Sequence, residues 1–275
     1  WTAPMTIRLL FEASYGTYRS RWGGDTIPGL DTSSLIRVVE QCAQGCANNG
    51  GISNLTYRST NWASNVNWNT QWGATMSFVT RTHNIKVGYQ GVWLYDNRRN
   101  FTNDQFLQYR VNNGTPDQIT QSIANFQTRQ RVRSDAFYVQ EQWTRGRVTL
   151  QGALRYDHAW SYFPEQTVGP VRFFPTAVTY AETTGVTGYH DLWPRGGVAW
   201  DVFGTGKTSL KVNFGRYLEA AQNMGLFSAL NPTARLQLTT TRSWTDSNTN
   251  FRVDCDLLYA GAQTLTENAL RDPAV

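Results

Sequence analysis

Apolar residues recur at every second position through six stretches of this chain, and that alternation restricts the folds available to it. It is clearest in the stretches 5–15, 66–78 and 85–95, and it returns in 148–157, 196–202 and 210–214. Successive side chains of a β-strand point to opposite faces of the sheet, so a strand with one apolar and one polar face has this period. The sequence therefore predicts at least six strands of that kind.

The connections between these strands alternate in length. Short turns are predicted at 81–84, 144–147 and 203–207, and long polar loops at about 20–57, 161–189, 221–232 and 246–275. Tight turns at one end of a sheet and long loops at the other are typical of transmembrane β-barrels. The stretch 85–95 also matches the roughly 9–11 tilted residues that cross a bilayer core.

The amino-acid composition agrees with a barrel whose inner surface is polar and contacts water. Charged residues are 16% of the chain and hydrophobic residues 40%, yet the mean hydropathy is −0.47, as alternating apolar and uncharged polar residues would give. No apolar run reaches the roughly 18 residues of a transmembrane helix. The net charge of +5 comes from scattered arginines, so we expect no nucleic-acid partner.

We therefore predict an all-β fold, an antiparallel transmembrane β-barrel of which this chain supplies about eight strands. Residues 1–275 would form part of one barrel domain that is truncated at both ends. The chain opens without a signal peptide and closes on the loop-like stretch 271–275, whereas a barrel in lipid leaves no strand edge unpaired. The predicted partner is outer-membrane lipid, and the predicted location is the bacterial cell outer membrane.

Two cysteines lie close together in a loop rich in glycine and asparagine. Zinc sites need four ligands, and the few histidines of the chain do not stand at ligand spacing from Cys42 and Cys46. A disulfide between Cys42 and Cys46 is therefore predicted.

Another loop spaces oxygen-bearing side chains two residues apart, as calcium loops do. These residues are Asp246, Asn248, Asn250 and Asp254. The pattern lacks the usual glycine at its sixth position and glutamate at its twelfth. Both interpretations stay open, a structural calcium ion in an external loop and an ordinary polar loop; no other cofactor is expected.

No catalytic motif is predicted, and we expect no enzymatic activity. The segment 204–208 resembles a phosphate-binding loop, but Asp201 stands where that loop needs a glycine. His158, Asp191 and Ser161 have the residue types of a hydrolytic triad without the strand-to-helix turn that presents the nucleophile.

Charged and aromatic residues offer two sets of candidate contacts. The first set faces the barrel interior and either forms pairs or lines a solute path: Arg8, Glu12, Arg155, Asp157, Arg195 and Asp201. The second set lies in external loops and supplies the better candidates for contacting a ligand, without defining a site: Trp22, Phe173, Phe174 and Phe227.

Several segments resemble the barrel of TonB-dependent outer-membrane receptors. They are Tyr138 to Trp143, Leu154 to Asp157, Pro194 to Asp201, Gly206 to Thr208 and Gly215 to Tyr217. The loop segments 244–246 and 254–258 are similar to those of the Oar-like group within that family.

The resemblance implies active import of a scarce or bulky solute, energised from the inner membrane through TonB. In that family an N-terminal plug fills the barrel and carries the TonB-contacting segment, and neither is recognisable in this chain. The implied partners are an unidentified solute and the TonB complex, reached through the absent plug domain. A passive outer-membrane pore and a soluble all-β ligand-binding module remain the alternatives.

Overall fold

The computed structural model describes residues 1–24, 34–42, 52–123, 126–217 and 219–258. Nearly all regular structure in these ranges is strand, with one short α-helix, α1 (Leu226–Ala229), and a 3-10 helix at Pro232–Arg235. The strands are β1 (Thr2–Pro4), β2 (Leu9–Trp22), β3 (Arg37–Glu40), β4 (Thr56–Tyr57), β5 (Trp62–Val79), β6 (His83–Phe101), β7 (Leu107–Asn112), β8 (Thr115–Ser122), β9 (Phe126–Arg145), β10 (Val148–Phe163), β11 (Gln166–Val168), β12 (Val178–Tyr180), β13 (Thr183–Thr184), β14 (Tyr189–Asp201), β15 (Ser209–Gly215) and β16 (Thr239–Ser243).

The main sheet contains eight strands in the order β1-β2-β5-β6-β9-β10-β14-β15, and every neighbouring pair is antiparallel. β13 adds a short segment beside β10. Within the described residues the sheet is open, with β1 and β15 at its edges. The all-β antiparallel fold and the strand number of about eight are confirmed. None of the described helices has the length and apolar character needed to cross a membrane.

The main sheet has one end with short connections, called the turn end here, and one with long connections, called the loop end. β5, β6 and β9 contain 18, 19 and 20 residues. About 9–11 tilted residues suffice to cross a bilayer core. These strands therefore continue well past the bilayer thickness, and the apolar pattern shows that the surplus lies at the loop end.

The first long strand begins at Leu9, so the predicted start at Met5 was wrong. The backbone N–H groups of Met5 and Thr6 both donate to the Leu9 carbonyl, at 2.9 and 3.2 Å. The Thr6 hydroxyl accepts from the N–H groups of Arg8 and Leu9, at 3.2 and 3.0 Å. Threonine side chains that bond the nearby backbone favour turns over strands, and residues 5–8 accordingly form the turn between β1 and β2.

The turn between β14 and β15 explains the glycine-rich segment 204–208. The Asp201 carboxylate accepts from the backbone N–H of Gly204 at 3.0 Å and of Gly206 at 2.9 Å. Both glycines have positive φ, 69° and 71°, which glycine adopts without steric cost. The N–H groups that a phosphate would need are thus bound to the chain's own carboxylate, in a turn between two strands.

A second sheet, the loop-end sheet, is assembled from the connection between β2 and β5, the connection between β6 and β9, and the segment that follows β15. Its order is β16-β8-β7-β3-β4, and all pairs are antiparallel except β3 with β7. The long connection between β6 and β9, which contains β7 and β8, was missed in the sequence. The turn Asn113–Gly114, with φ of 51° and 79°, is a common hairpin signal that could have revealed it.

The loop-end sheet has its own hydrophobic core. Tyr109 and Trp244 pack with ring centroids 4.7 Å apart. The buried residues of this core are Val38, Leu107, Tyr109, Val111, Ile119, Trp244 and Leu257. The predicted loops at about 20–57 and 246–275 contribute Val38 and Leu257 to this folded unit, and its other buried residues come from stretches to which the sequence analysis assigned no loop.

We expect the loop-end sheet to lose stability in strong alkali. Burial raises the pKa of Tyr109 above its ordinary value, and the nearby backbone of Val253 and three arginines only partly offset that rise. The neutral phenol is favoured in the folded state, so this contribution is complete below pH about 10 and is lost as pH rises through the higher folded pKa. Tyrosine absorbance during alkaline titration measures it. The Tyr109→Phe variant should lack the late-titrating phenol, and an unchanged titration curve would contradict the assignment.

Candidate functional site

The apolar face of the main sheet is exposed. Phe137, Leu192 and Val212 keep 56%, 58% and 61% of their surface accessible. The two buried apolar clusters in the described part of the chain lie elsewhere, one in the loop-end sheet and one on the polar face. A continuous exposed apolar surface of this extent needs an apolar environment. The alternation in the sequence thus places apolar side chains outward, and none of the described segments forms a second layer over them.

The register of the strands aligns these apolar side chains in rows across the sheet. One row contains Phe11, Met76, Val87, Val139, Leu154 and Pro194, which are successive cross-strand partners on six strands. Because directly paired residues share a face, the whole row faces the same surroundings. The result is a band of apolar side chains that matches the lipid-facing belt of a membrane barrel.

Glu141 is an exception on the apolar face. Its parity matches that of Val139 and Trp143, but it lies close to the turn end. Its carboxylate is 2.5 Å from Nδ1 of His83, and the ring of His83 stacks on Trp143. A hydrogen-bonded partner and a position near the membrane boundary explain how this face tolerates the carboxylate.

The opposite face of the main sheet is polar, and its charged groups are mostly paired. Arg155 binds Asp157 through both Nε and Nη2, at 2.9 to 3.1 Å. Glu12 lies 3.6 Å from Lys86. Of the residues predicted to face the interior, Arg8 instead lies in the first turn. Asp201 accepts hydrogen bonds from the backbone of the turn between β14 and β15. Pairing within the chain therefore accounts for most of the charged residues that were predicted to face the interior.

A cavity of about 230 Å³ lies on the polar face near the loop end. Arg155, Asp157, Trp193, Arg195 and Glu219 contribute to its lining. In the described structure, Nε1 of Trp193 and Nε of Arg195 are buried without a hydrogen-bond partner. Buried donors normally have an acceptor, so the residues of this cavity wall include two N–H groups for which the described structure shows none.

Two further arginine–aromatic contacts hold the cavity wall in place. The guanidinium of Arg195 lies 4.4 Å from the ring centroid of Tyr217, and that of Arg216 lies 4.9 Å from Trp193. Such contacts orient a cation without neutralising it. Trp193 was not identified from the sequence, although its parity with Arg195 and Asp191 placed it on the polar face.

Residues 219–235, the inner segment, fold back against the polar face at the loop end. Phe227 is buried there with Val132 and Ala159, and its ring centroid is 5.6 Å from that of Tyr189. The backbone carbonyl of Asn223 accepts from the side chain of Gln130. Phe227 was a candidate for contacting a ligand, but the structure buries its side chain against the polar face, where it anchors the inner segment.

Buried polar groups fix the far end of the inner segment. The Asn231 side chain donates to the Arg129 carbonyl at 3.0 Å and accepts from Gln166 at 3.1 Å. The Thr233 hydroxyl donates to Asn231 at 2.7 Å, and Asn231 and Thr233 are almost fully buried. A buried polar network whose groups have hydrogen-bond partners fixes one arrangement of the segments that it joins. The inner segment is therefore a packed element that covers the cavity side of the sheet.

The remaining predicted site residues have different outcomes. Cys42 is disulfide-bonded, while Cys46 lies outside the described residues, so their pairing stays a prediction. Among the loop aromatics, Trp22 is exposed and Phe173 packs against the core of the loop-end sheet. Phe174 pairs with Val171 in an isolated bridge.

The proposed calcium residues do lie together. The Asp254 carboxylate accepts from the side-chain amides of Asn248 at 2.6 Å and Asn250 at 2.7 Å. The Asp246 carboxylate accepts from the backbone N–H of Asn250 at 3.3 Å and of Phe251 at 2.8 Å. Hydrogen bonds within the loop thus account for the cluster, and calcium binding stays a prediction.

The comparisons with known proteins give one match. A family model described as an outer membrane beta barrel domain matches residues 1–271. No curated protein and no solved structure matches the chain.

Proposed function

Because the chain belongs to the outer membrane beta barrel domain family, we propose that it is a receptor and transporter that binds a solute outside the cell and imports it with TonB-derived energy. Family membership places the chain in the bacterial outer membrane, with the apolar face toward lipid. In such barrels the short turns are periplasmic and the long connections external. The cavity on the polar face then lies near the external mouth.

The covered cavity is the observation that carries this proposal. A solute entering from outside would meet the cavity wall that Trp193 and Arg195 form with the start of the inner segment. A passive pore needs an open polar path, whereas a receptor needs a site that holds its solute until release is triggered. The buried anchors Phe227 and Asn231 favour a receptor, because they hold the inner segment over that site.

The TonB part of the proposal depends on the resemblance of β9, β10 and β14 to TonB-dependent receptors. The solute and the TonB complex are the proposed partners, and the proposal includes neither enzymatic activity nor nucleic-acid binding. The cavity wall is mostly apolar, and its charged side chains Arg155, Asp157 and Arg195 favour a solute that also carries a few polar groups.

Ion conductance distinguishes the proposal from a passive pore. The full-length protein, purified from outer membranes into planar bilayers in potassium chloride, should stay closed without other proteins. It should also bind the purified periplasmic domain of TonB in a pull-down assay. Steady conductance together with failure to bind TonB would overturn energised import and favour the passive pore.

We expect the Phe227→Asp variant to conduct more than the wild type. A carboxylate in place of this buried ring would be desolvated without a partner, which costs several kcal/mol. The inner segment should therefore leave the polar face and open the cavity. Phe251→Asp is the matched control, because Phe251 is exposed in an external loop. Single-channel recording compares the two, and equal conductance in both variants would contradict the role given to the inner segment.

A further inference from the structure

Two histidines lie side by side on the outward face of the main sheet. His158 on β10 and His190 on β14 are direct cross-strand partners, one row nearer the loop end than the apolar pair Tyr156 and Leu192. On β9 the cross-strand partner of His158 is a charged residue, Asp135. His190 is exposed. The two histidines therefore lie at the external edge of the apolar face, where the outward side chains become polar.

The imidazole rings of His158 and His190 stack on each other. Their centroids are 4.2 Å apart, and their planes differ by 18°. The ring of Trp160 stacks on His158 at 4.8 Å, and that of Tyr156 stacks on His190 at 6.3 Å. Packing against neighbouring rings restricts the rotamers of both histidines and keeps the two imidazoles beside each other.

Hydrogen bonds decide which nitrogen of each imidazole is available. Nδ1 of His158 lies 3.1 Å from the backbone carbonyl oxygen of Tyr189. Because a carbonyl oxygen only accepts, Nδ1 of the neutral ring carries the proton and Nε2 keeps its lone pair. Nδ1 of His190 lies 2.7 Å from the Tyr156 hydroxyl, which can accept in the same way. Metal-binding histidines have this arrangement, in which one ring nitrogen donates to the protein and the other binds the ion.

We propose that His158 and His190 together bind a divalent transition-metal ion, such as Cu²⁺ or Zn²⁺, at the external edge of the main sheet. Imidazole nitrogens are suitable ligands for both ions. Two metal–nitrogen bonds of about 2.0–2.1 Å span at most about 4 Å. Imidazoles whose centroids are 4.2 Å apart can therefore share one ion after rotation about their Cβ–Cγ bonds, a torsion that is broad in histidine.

Water completes the coordination of this ion. The nearest strand partner, Asp135, is engaged elsewhere, since its carboxylate lies 3.2 Å from Arg133 and accepts from the Tyr89 hydroxyl at 2.5 Å. Within the described part of the chain, no group of three histidine, cysteine or carboxylate side chains could hold a metal ion. The site is thus an open one with two protein ligands, and the ion joins β10 to β14 at the loop end. It does not depend on what the barrel transports.

Copper binding by the folded full chain tests the proposal. The protein in detergent micelles is titrated with Cu²⁺ alone, and electron paramagnetic resonance detects nitrogen ligands through their hyperfine splitting. The wild type should bind one ion through two nitrogen ligands. His158→Gln and His190→Gln should each weaken binding at least about tenfold, because even losing a residue that only orients a metal ligand costs about 10–100-fold in affinity.

The third histidine of the chain supplies the matched control. His83 also faces outward and also has its Nδ1 engaged, by Glu141, but it lies at the turn end, where its cross-strand partner is Trp143. His83→Gln should bind Cu²⁺ as the wild type does. Gel mobility before and after heating checks the folding of every variant.

Hydrogen exchange gives a second measurement at the site. Added Cu²⁺ should slow exchange around His190 in the wild type and in His83→Gln, but not in His190→Gln. Equal copper affinity in the wild type and all three variants would overturn the proposal, and so would a loss in His83→Gln alone. Binding of two ions by the wild type, one of which is lost in each of His158→Gln and His190→Gln, would show separate single-histidine sites and would also overturn it.

Discussion

An arginine in place of Val139 should strongly reduce insertion of the folded protein into lipid. Val139 lies in the apolar row with Val87 and Leu154, and 44% of its surface is exposed to the surroundings of that face. Placing a cation on the lipid face lowers the stability of the folded barrel by about 2–4 kcal/mol at the middle of the bilayer. Folded yield in phosphatidylcholine vesicles, measured by unheated gel mobility over a urea series, should fall accordingly.

The neighbouring residue supplies the control for this experiment. Gln140 lies on the same strand, is also exposed, and points to the polar face. Gln140→Arg therefore adds the same charge to a wet surface, and its folded yield should match that of the wild type. Equal losses from Val139→Arg and Gln140→Arg would show that the apolar face does not meet lipid.

Replacement of Trp244 by alanine should unfold the loop-end sheet and leave the main sheet intact. Trp244 is 5% exposed and packs on Tyr109 in the centre of the small core. Loss of a buried tryptophan typically costs about 3–5 kcal/mol, which is large for a core of seven buried residues. Hydrogen exchange of β7 and β8 should accelerate, while that of β9 and β10 should stay slow.

Trp244→Phe separates packing from hydrogen bonding at this position. The Trp244 indole nitrogen is buried and has no hydrogen-bond partner in the described structure. Phenylalanine keeps most of the ring contact without that donor, so exchange in β7 and β8 should stay close to wild type. A collapse of both sheets in Trp244→Ala would mean that they do not unfold independently.

The main sheet was predictable because lipid imposes a strict pattern on each strand. A strand between hydrocarbon and water must alternate at every position, so Val66 to Phe78 and Ile85 to Tyr95 were visible without tertiary information. The strand ends were not visible. Beyond the bilayer the outward residues become Asn97 and Arg99, and the apolar signal ends although β6 continues to Phe101.

The loop-end sheet and the inner segment were not predictable in the same way. Parallel pairing of β3 with β7 joins residues that are about seventy positions apart, Val38 with Tyr109, and no local pattern specifies such a contact. The anchor Phe227 looked like any exposed loop aromatic. Its burial depends on Val132 and Ala159, which belong to distant strands. Local sequence therefore fixes the strands of the barrel but not what its connections build.

The composite origin of the loop-end sheet dictates when it can form. β3 and β4 precede most of the barrel in the chain, β7 and β8 lie between two of its hairpins, and β16 follows β15. Each part lies on a different stretch of the chain, so the sheet is complete only when all three stretches have been brought to the loop end. Because such distant pairings pay the entropy of closing long loops first, we expect the loop-end sheet to form after the main-sheet strands that bring its parts together.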